Sequence, residues 1–121
     1  MTITLNHTIV PAVDNETAAR FFAGIMGLTY PGNVHHFAPV RVNEQLTLDF
    51  MTVDHPVGLH LAFDVDPATF DQILARLQAG GVPYGSEPDE PDNGHTDHPL
   101  CARGLYFTDD ARNLYEVMSP E

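Results

Sequence analysis

Hydrophobic and polar positions alternate along the chain in two modes, and the order in which the modes appear repeats once. Residues 2–10 alternate with period two, placing Ile3, Leu5, His7 and Ile9 on one face and the threonines and Asn6 on the other, which predicts a strand. Asp14 then offers an N-cap. Ala18, Phe21, Phe22, Ile25 and Met26 recur at helical spacing and stop at Gly27, so a helix is expected over 15–26. The turn chemistry of Tyr30-Pro31-Gly32-Asn33 leads into two β runs, 35–42 and 45–53, joined at Asn43-Glu44.

The same order follows from residue 57. In the strand 57–65, Leu59, Leu61, Phe63 and Val65 form the apolar face, and Gly58, His60, Ala62 and Asp64 point the other way. Asp66-Pro67 is an N-cap followed by proline at the first helical position. Phe70, Ile73, Leu74 and Leu77 continue the stripe, which predicts a helix over 67–79 that ends at Gly80-Gly81. Residues 85–99 are rich in acids and prolines with no large apolar side chain, and read as an exposed loop or a lid. Two β runs, 103–108 and 113–119, close the chain around Asp109-Asp110.

His7 and His60, Asp14 and Asp66, Gly27 and Gly80, and Tyr30 and Tyr84 correspond at offsets of 52 to 54 residues. The chain is thus expected to be one domain, 1–121, of two modules divided near residue 54, each β-α-β-β with room for a further strand. A helix with a small curved sheet cannot cover its own concave side. Two halves set side by side would enclose a cleft. A second copy of the chain would bury more surface than one small domain can, so a homodimer is expected.

Composition narrows the chemistry. The single Cys101 excludes an intramolecular disulfide and reads as a half-buried apolar residue. Seventeen acids against five basic residues give a formal charge of −12, which disfavours nucleic acid and anionic membrane surfaces. All five basic residues are arginines, so neither a lysine Schiff base nor a P-loop lysine is available. With no run of ~18 apolar residues, the chain reads as a soluble cytoplasmic protein.

What remains is histidine, carboxylate, tyrosine, arginine and metal. Each module opens on a histidine, His7 or His60, and carries an acid in its last strand, Asp49 or Glu116. His7, His60 and Glu116 would form a two-histidine, one-carboxylate set with open positions for substrate, and Asp49 would be a fourth ligand or a nearby base. The alternative is that the histidines mark equivalent strands and hold no ion. His35, His36, His95 and His98 are read as solvated. Tyr106, between Leu105 and Phe107, would face the cleft, while Tyr115 would pack the core. Arg103 would either clamp a substrate carboxylate or cap a strand end.

The segments Leu5-Asn6-His7-Thr8-Ile9-Val10, Leu59-His60-Leu61-Ala62-Phe63 and Arg103-Gly104-Leu105-Tyr106-Phe107, with Asn113-Leu114-Tyr115-Glu116-Val117, resemble the vicinal oxygen chelate superfamily of glyoxalases, bleomycin-resistance proteins, extradiol dioxygenases and fosfomycin-resistance transferases. The likeness covers nearly the whole chain. It implies an α+β fold of two βαβββ modules forming a cup-shaped, eight-stranded mixed sheet around a divalent metal. It also implies that His7, His60 and Glu116 are the ligands, with His7 contributed by one subunit of a swapped dimer and His60 and Glu116 by the other. Asp49 stands where glyoxalase-type members carry a longer carboxylate. Asp109-Asp110-Ala111-Arg112-Asn113 departs from the family's last turn by placing arginine where a glycine is usual, so an altered turn geometry is expected.

Two functions follow. One is a metal-dependent lyase, isomerase or dioxygenase that chelates two adjacent oxygens of a small molecule on Fe²⁺, Mn²⁺, Ni²⁺ or Zn²⁺, with Glu116 or Asp49 moving the proton. The other is a metal-free protein that sequesters a cationic or aromatic drug, as bleomycin-resistance relatives do. The acidic charge suits sequestration. The complete ligand set favours the enzyme.

Overall fold

A computed structural model describes residues 1–121. The elements in chain order are β1 (His7–Ala12), α1 (Asn15–Met26), β2 (Phe37–Arg41), β3 (Thr47–Thr52), β4 (His60–Asp64), α2 (Pro67–Ala79), β5 (Arg103–Thr108) and β6 (Leu114–Ser119). They form two three-stranded mixed sheets of identical topology, β1-β3-β2 and β4-β6-β5, in which the opening strand of each module runs parallel to the last and the middle strand antiparallel to it.

Both helices have the predicted bounds because their caps are written locally. The Thr17 amide donates to Asp14 Oδ2 at 3.0 Å and the Thr69 amide to Asp66 Oδ2 at 3.3 Å, each satisfying an amide that the first helical turn leaves unpaired. Gly27 ends α1 in the left-handed region, at φ 75°. A Cβ there would also lie 2.7 Å from the Arg76 guanidinium, which donates to the Ile25 carbonyl.

The helix-facing residues of both sheets meet in one core. Val10, Ala12, Ala38, Val40, Leu48 and Phe50 enter it from the first module, and Leu105, Phe107, Tyr115 and Val117 from the second. Phe22 on α1 joins the halves, with ring centroids 5.8 Å from Phe50, 5.9 Å from Phe63 and 5.0 Å from Tyr115. Buried Asn113 adds a polar link, accepting from the Leu59 amide at 2.9 Å and donating to the Pro11 carbonyl at 2.8 Å. The opposite face of each sheet is left outside this core.

Three expectations are revised. The first strand starts at His7, not near residue 2. Its partner β3 begins at Thr47, which pairs with His7 and donates its amide to the Asn6 carbonyl, so β3 offers residues 2–5 no continuing neighbour; Ile3 and Leu5 are exposed. The apolar face of β1 that enters the core is that of Val10 and Ala12, and His7 and Ile9 point away from it. The further strand of each module is reduced to an isolated bridge, Val34 to Phe37 and Gly85 to Tyr106. Pro31, Pro83, Pro88 and Pro91 interrupt the amide donors that regular strands would need there.

The altered last turn does form. Arg112 adopts φ 65°, the left-handed conformation that glycine takes without cost, and Asp109 Oδ1 accepts from the amides of Ala111 and Asn113, each at 3.0 Å. Gly58 backs onto this turn so closely that a Cβ would lie 2.0 Å from the Arg112 carbonyl oxygen.

Candidate functional site

The outward face of the second sheet gathers the chemistry. The period-two alternation that sends Leu61, Phe63, Tyr115 and Val117 toward the core sends His60 and Glu116 the other way. His60 Nε2 lies 2.8 Å from Glu116 Oε1; the His60 side chain is 52% exposed and that of Glu116 only 8%. Tyr106, paired with Glu116 across β5 and β6, is buried on the same face, as the alternation predicted.

A second histidine completes the enclosure of the carboxylate. His98 Nε2 lies 2.7 Å from Glu116 Oε2, and its side chain is 1% exposed. Its ring stacks on Tyr106, with centroids 6.0 Å apart and planes 21° apart. The reading of His98 as solvated is therefore corrected. The loop that carries it is fastened to the sheet: Gly104 donates to the Thr96 carbonyl, Gly85 and Tyr106 exchange backbone hydrogen bonds, and Asn93 holds Ser86. Gly104 is the residue whose missing side chain admits the ring, since a Cβ there would lie 2.5 Å from His98 Cδ2. His98 was hidden because composition describes the loop and says nothing of the hole at Gly104 that one member of the loop fills.

Electrostatics follow from this enclosure. Burial raises the Glu116 pKa, but hydrogen bonding with His60 and His98, and the Tyr106 phenol beside it, outweigh it and hold the carboxyl below its ordinary range. The Tyr106 phenol is pushed up to about 12 by burial first and then by the nearby Glu116, so it stays protonated. Burial also raises the Cys101 thiol, whose Sγ donates to the Arg103 carbonyl, as suits an inert side chain.

The first module repeats the placement without the enclosure. His7 and Asp49 occupy the positions of His60 and Glu116: Ile9 pairs with Asp49 as Ala62 pairs with Glu116, and Pro39 stands opposite Asp49 where Tyr106 stands opposite Glu116. His7 is exposed, and its Nδ1 is 2.8 Å from Asn6 Oδ1; a ring proton on Nδ1 would leave the Nε2 lone pair free. His60 and His98 both reach Glu116, yet no group of three His, Cys, Asp or Glu side chains of the chain is arranged to hold a metal ion. One chain thus brings together His60 and Glu116 and keeps His7 and Asp49 apart from them. Its three clefts are lined elsewhere, none of them by His60, His98, Tyr106 or Glu116.

Arg103, considered as a substrate clamp, is turned to the helix side. It donates to Asp71 Oδ1 at 2.8 Å and lies 4.4 Å over the Phe70 ring, because its place on β5 has the parity of the core residues Leu105 and Phe107. Tyr115 is a core residue, as expected; its hydroxyl donates to Asp109 Oδ2 at 2.8 Å, and burial, followed by Asp109, raises its pKa strongly. No helix is long and apolar enough to cross a membrane.

No family profile and no curated protein sequence matches the chain. Solved structures do. The oxidase ChaP-H2 is 34% identical, with a TM-score of 0.90 over 98% of this chain and 94% of that one. TnmS3, an antibiotic binding protein from Streptomyces sp. CB03234, is 24% identical with a TM-score of 0.72, covering 100% of this chain and 99% of its own. The lactoylglutathione lyase of Agrobacterium tumefaciens is 18% identical with a TM-score of 0.71, over 98% of this chain and 94% of the lyase.

Proposed function

The chain belongs to the vicinal oxygen chelate superfamily, and on that premise we propose that it is a metal-dependent enzyme acting on adjacent oxygens of a small molecule, with an oxidative reaction favoured over a lyase or isomerase reaction. The observation that carries this reading is the convergence of His60 Nε2 and Glu116 Oε1 within 2.8 Å on an outward sheet face. The choice of oxidation leans on the 34% identity to an oxidase, against 18% to the lyase.

The donors fit a divalent ion. A neutral imidazole and a carboxylate held ionised suit Fe²⁺, Mn²⁺, Ni²⁺ or Zn²⁺, and rigid strands hold both. One chain provides two donors and an open face. We therefore place the third donor, His7, on a second copy of the chain, so that the first sheet of one subunit covers the second sheet of the other in a homodimer. The exposed apolar side chains Ile3, Leu5 and Ile9 beside His7 suit a covered face. A bound ion would polarise two neighbouring substrate oxygens as a Lewis acid. Tyr106, kept protonated, would donate a hydrogen bond to a developing oxyanion, and Asp49 would accept a proton at the rim or join the ligands. Arg103 has no part in this arrangement.

The test is elemental analysis of the purified protein with titration by Fe²⁺ and Mn²⁺. One ion per chain, lost in His60→Ala and Glu116→Gln, is the expected result. The −12 charge and the full-length similarity to an antibiotic binding protein support a second reading, capture of a cationic or aromatic small molecule. It would replace the first if no ion binds while the protein still takes up such a compound.

A further inference from the structure

The residue that sets the orientation of the Glu116 carboxylate comes from the loop. His98 is bonded at both ring nitrogens. The Leu100 amide donates to His98 Nδ1 at 3.1 Å, and His98 Nε2 faces Glu116 Oε2 at 2.7 Å. A nitrogen that accepts an amide proton carries no proton of its own, so the proton of the neutral ring sits on Nε2 and is donated to the carboxylate. That leaves His98 no lone pair facing the site. It is therefore no ligand in this arrangement, although it touches the same carboxylate as His60.

We propose that His98 is a positioning residue: it binds Glu116 Oε2, turns Oε1 toward His60, and thereby pre-sets the carboxylate to offer a single oxygen to the site. Three constraints hold the ring in place. Its side chain is 1% exposed, it stacks on Tyr106, and it fills the space left at Gly104. The loop around it is anchored at Thr96 and Gly85. A buried donor fixed in this way stops the carboxylate from rotating to present both oxygens at once. Outer-shell donors to metal-bound carboxylates and imidazoles typically contribute a factor of ~10–100 in metal affinity.

The affinity arm of the test rests on Glu116 being a ligand, as proposed above; the spectroscopic arm does not. Mn²⁺ alone is titrated into the wild type, His98→Ala, His98→Gln and, as an exposed control from the same loop, His95→Ala. The amide of glutamine can donate as Nε2–H does but is a poor ligand for the ion. Positioning predicts a loss of roughly 10–100-fold in His98→Ala, substantial recovery in His98→Gln and no change in His95→Ala. Equal loss in the alanine and glutamine variants, or no loss in either, overturns it. Without added metal, the His98 Nε2 proton should give a slowly exchanging NMR resonance downfield of the amides, absent in His98→Gln and displaced in Glu116→Gln. A resonance unaffected by Glu116→Gln, or a ring protonated at Nδ1 alone, contradicts the proposal even if the wild type binds no ion.

Discussion

The two modules share one topology and one strand register and differ in what has been added to the outward face. Position for position, His7 matches His60, Asp49 matches Glu116 and Pro39 matches Tyr106. The connection from helix to middle strand is short in the first module, residues 27–36, and long in the second, residues 80–102. The long connection supplies His98, and with Tyr106 it buries and orients the carboxylate; Asp49 has neither neighbour. A duplicated scaffold provides two equivalent places for an acid. Loop length and the residue across the strand pair decide which becomes an enclosed, oriented carboxylate.

Exchanging the two acids for their amides should give the largest contrast. Glu116→Gln is expected to lose metal affinity by about 10-fold or more, whereas Asp49→Asn should keep the ion and lose turnover if Asp49 accepts a proton. Calorimetric titration of both variants decides the matter. Equal loss of metal would make Asp49 a ligand and the two modules chemical equals.

The next contrast is structural. Asn113 occupies the place held by Leu46 in the first module, yet it is fully buried and links Pro11 to Leu59. Asn113→Leu should destabilise the chain by about 2–3 kcal/mol, because two part-buried backbone groups and the Asp109 carboxylate lose their partner. Urea unfolding measures this. A change within about 0.5 kcal/mol would mean that the link between modules is carried by apolar packing alone.

Acid should test the enclosed carboxylate as well. The folded-state pKa of Glu116 is lowered, so its ionised form contributes stability that is present above the ordinary carboxylate range and is lost as pH falls through the folded value. In metal-free buffer, the wild type should therefore lose more stability than Glu116→Gln between about pH 5 and the acid limit set by that lowered pKa. Parallel melting curves across that range would show that His60, His98 and Tyr106 do not favour the charged form.

The smallest effect concerns the last turn. Arg112→Gly should raise stability by about 0.5–1 kcal/mol, since glycine adopts φ 65° without the side-chain clash, partly offset by its greater freedom when unfolded. Thermal unfolding at fixed pH reads it.

Much of this was legible from residue order. The helices could be bounded to the residue because Asp14, Gly27, Asp66 and Pro67 act through their immediate neighbours, and His60, Tyr106 and Glu116 could be assigned to one outward face by strand parity alone. What the sequence concealed depends on contacts distant along the chain. Residues 2–6 alternate like a strand, but β3 begins opposite His7, so that within one molecule the ladder ends at the Asn6 carbonyl, which accepts from the Thr47 amide. Arg103 resembles a clamp by type, yet its parity turns it to Asp71. His98 lies in a loop with no periodicity at all, and only the gap at Gly104 marks where its ring goes.

In the proposed dimer the site is divided between modules of two different chains. Mixing His7→Ala protein with His60→Ala protein under exchanging conditions tests it directly. If His7 of one copy joins His60 and Glu116 of the other, each mixed dimer regains one intact site and one doubly damaged one, and random exchange should restore about a quarter of the wild-type metal content. If the ligands all came from the same chain, the mixture would bind no more metal than the two variants do separately.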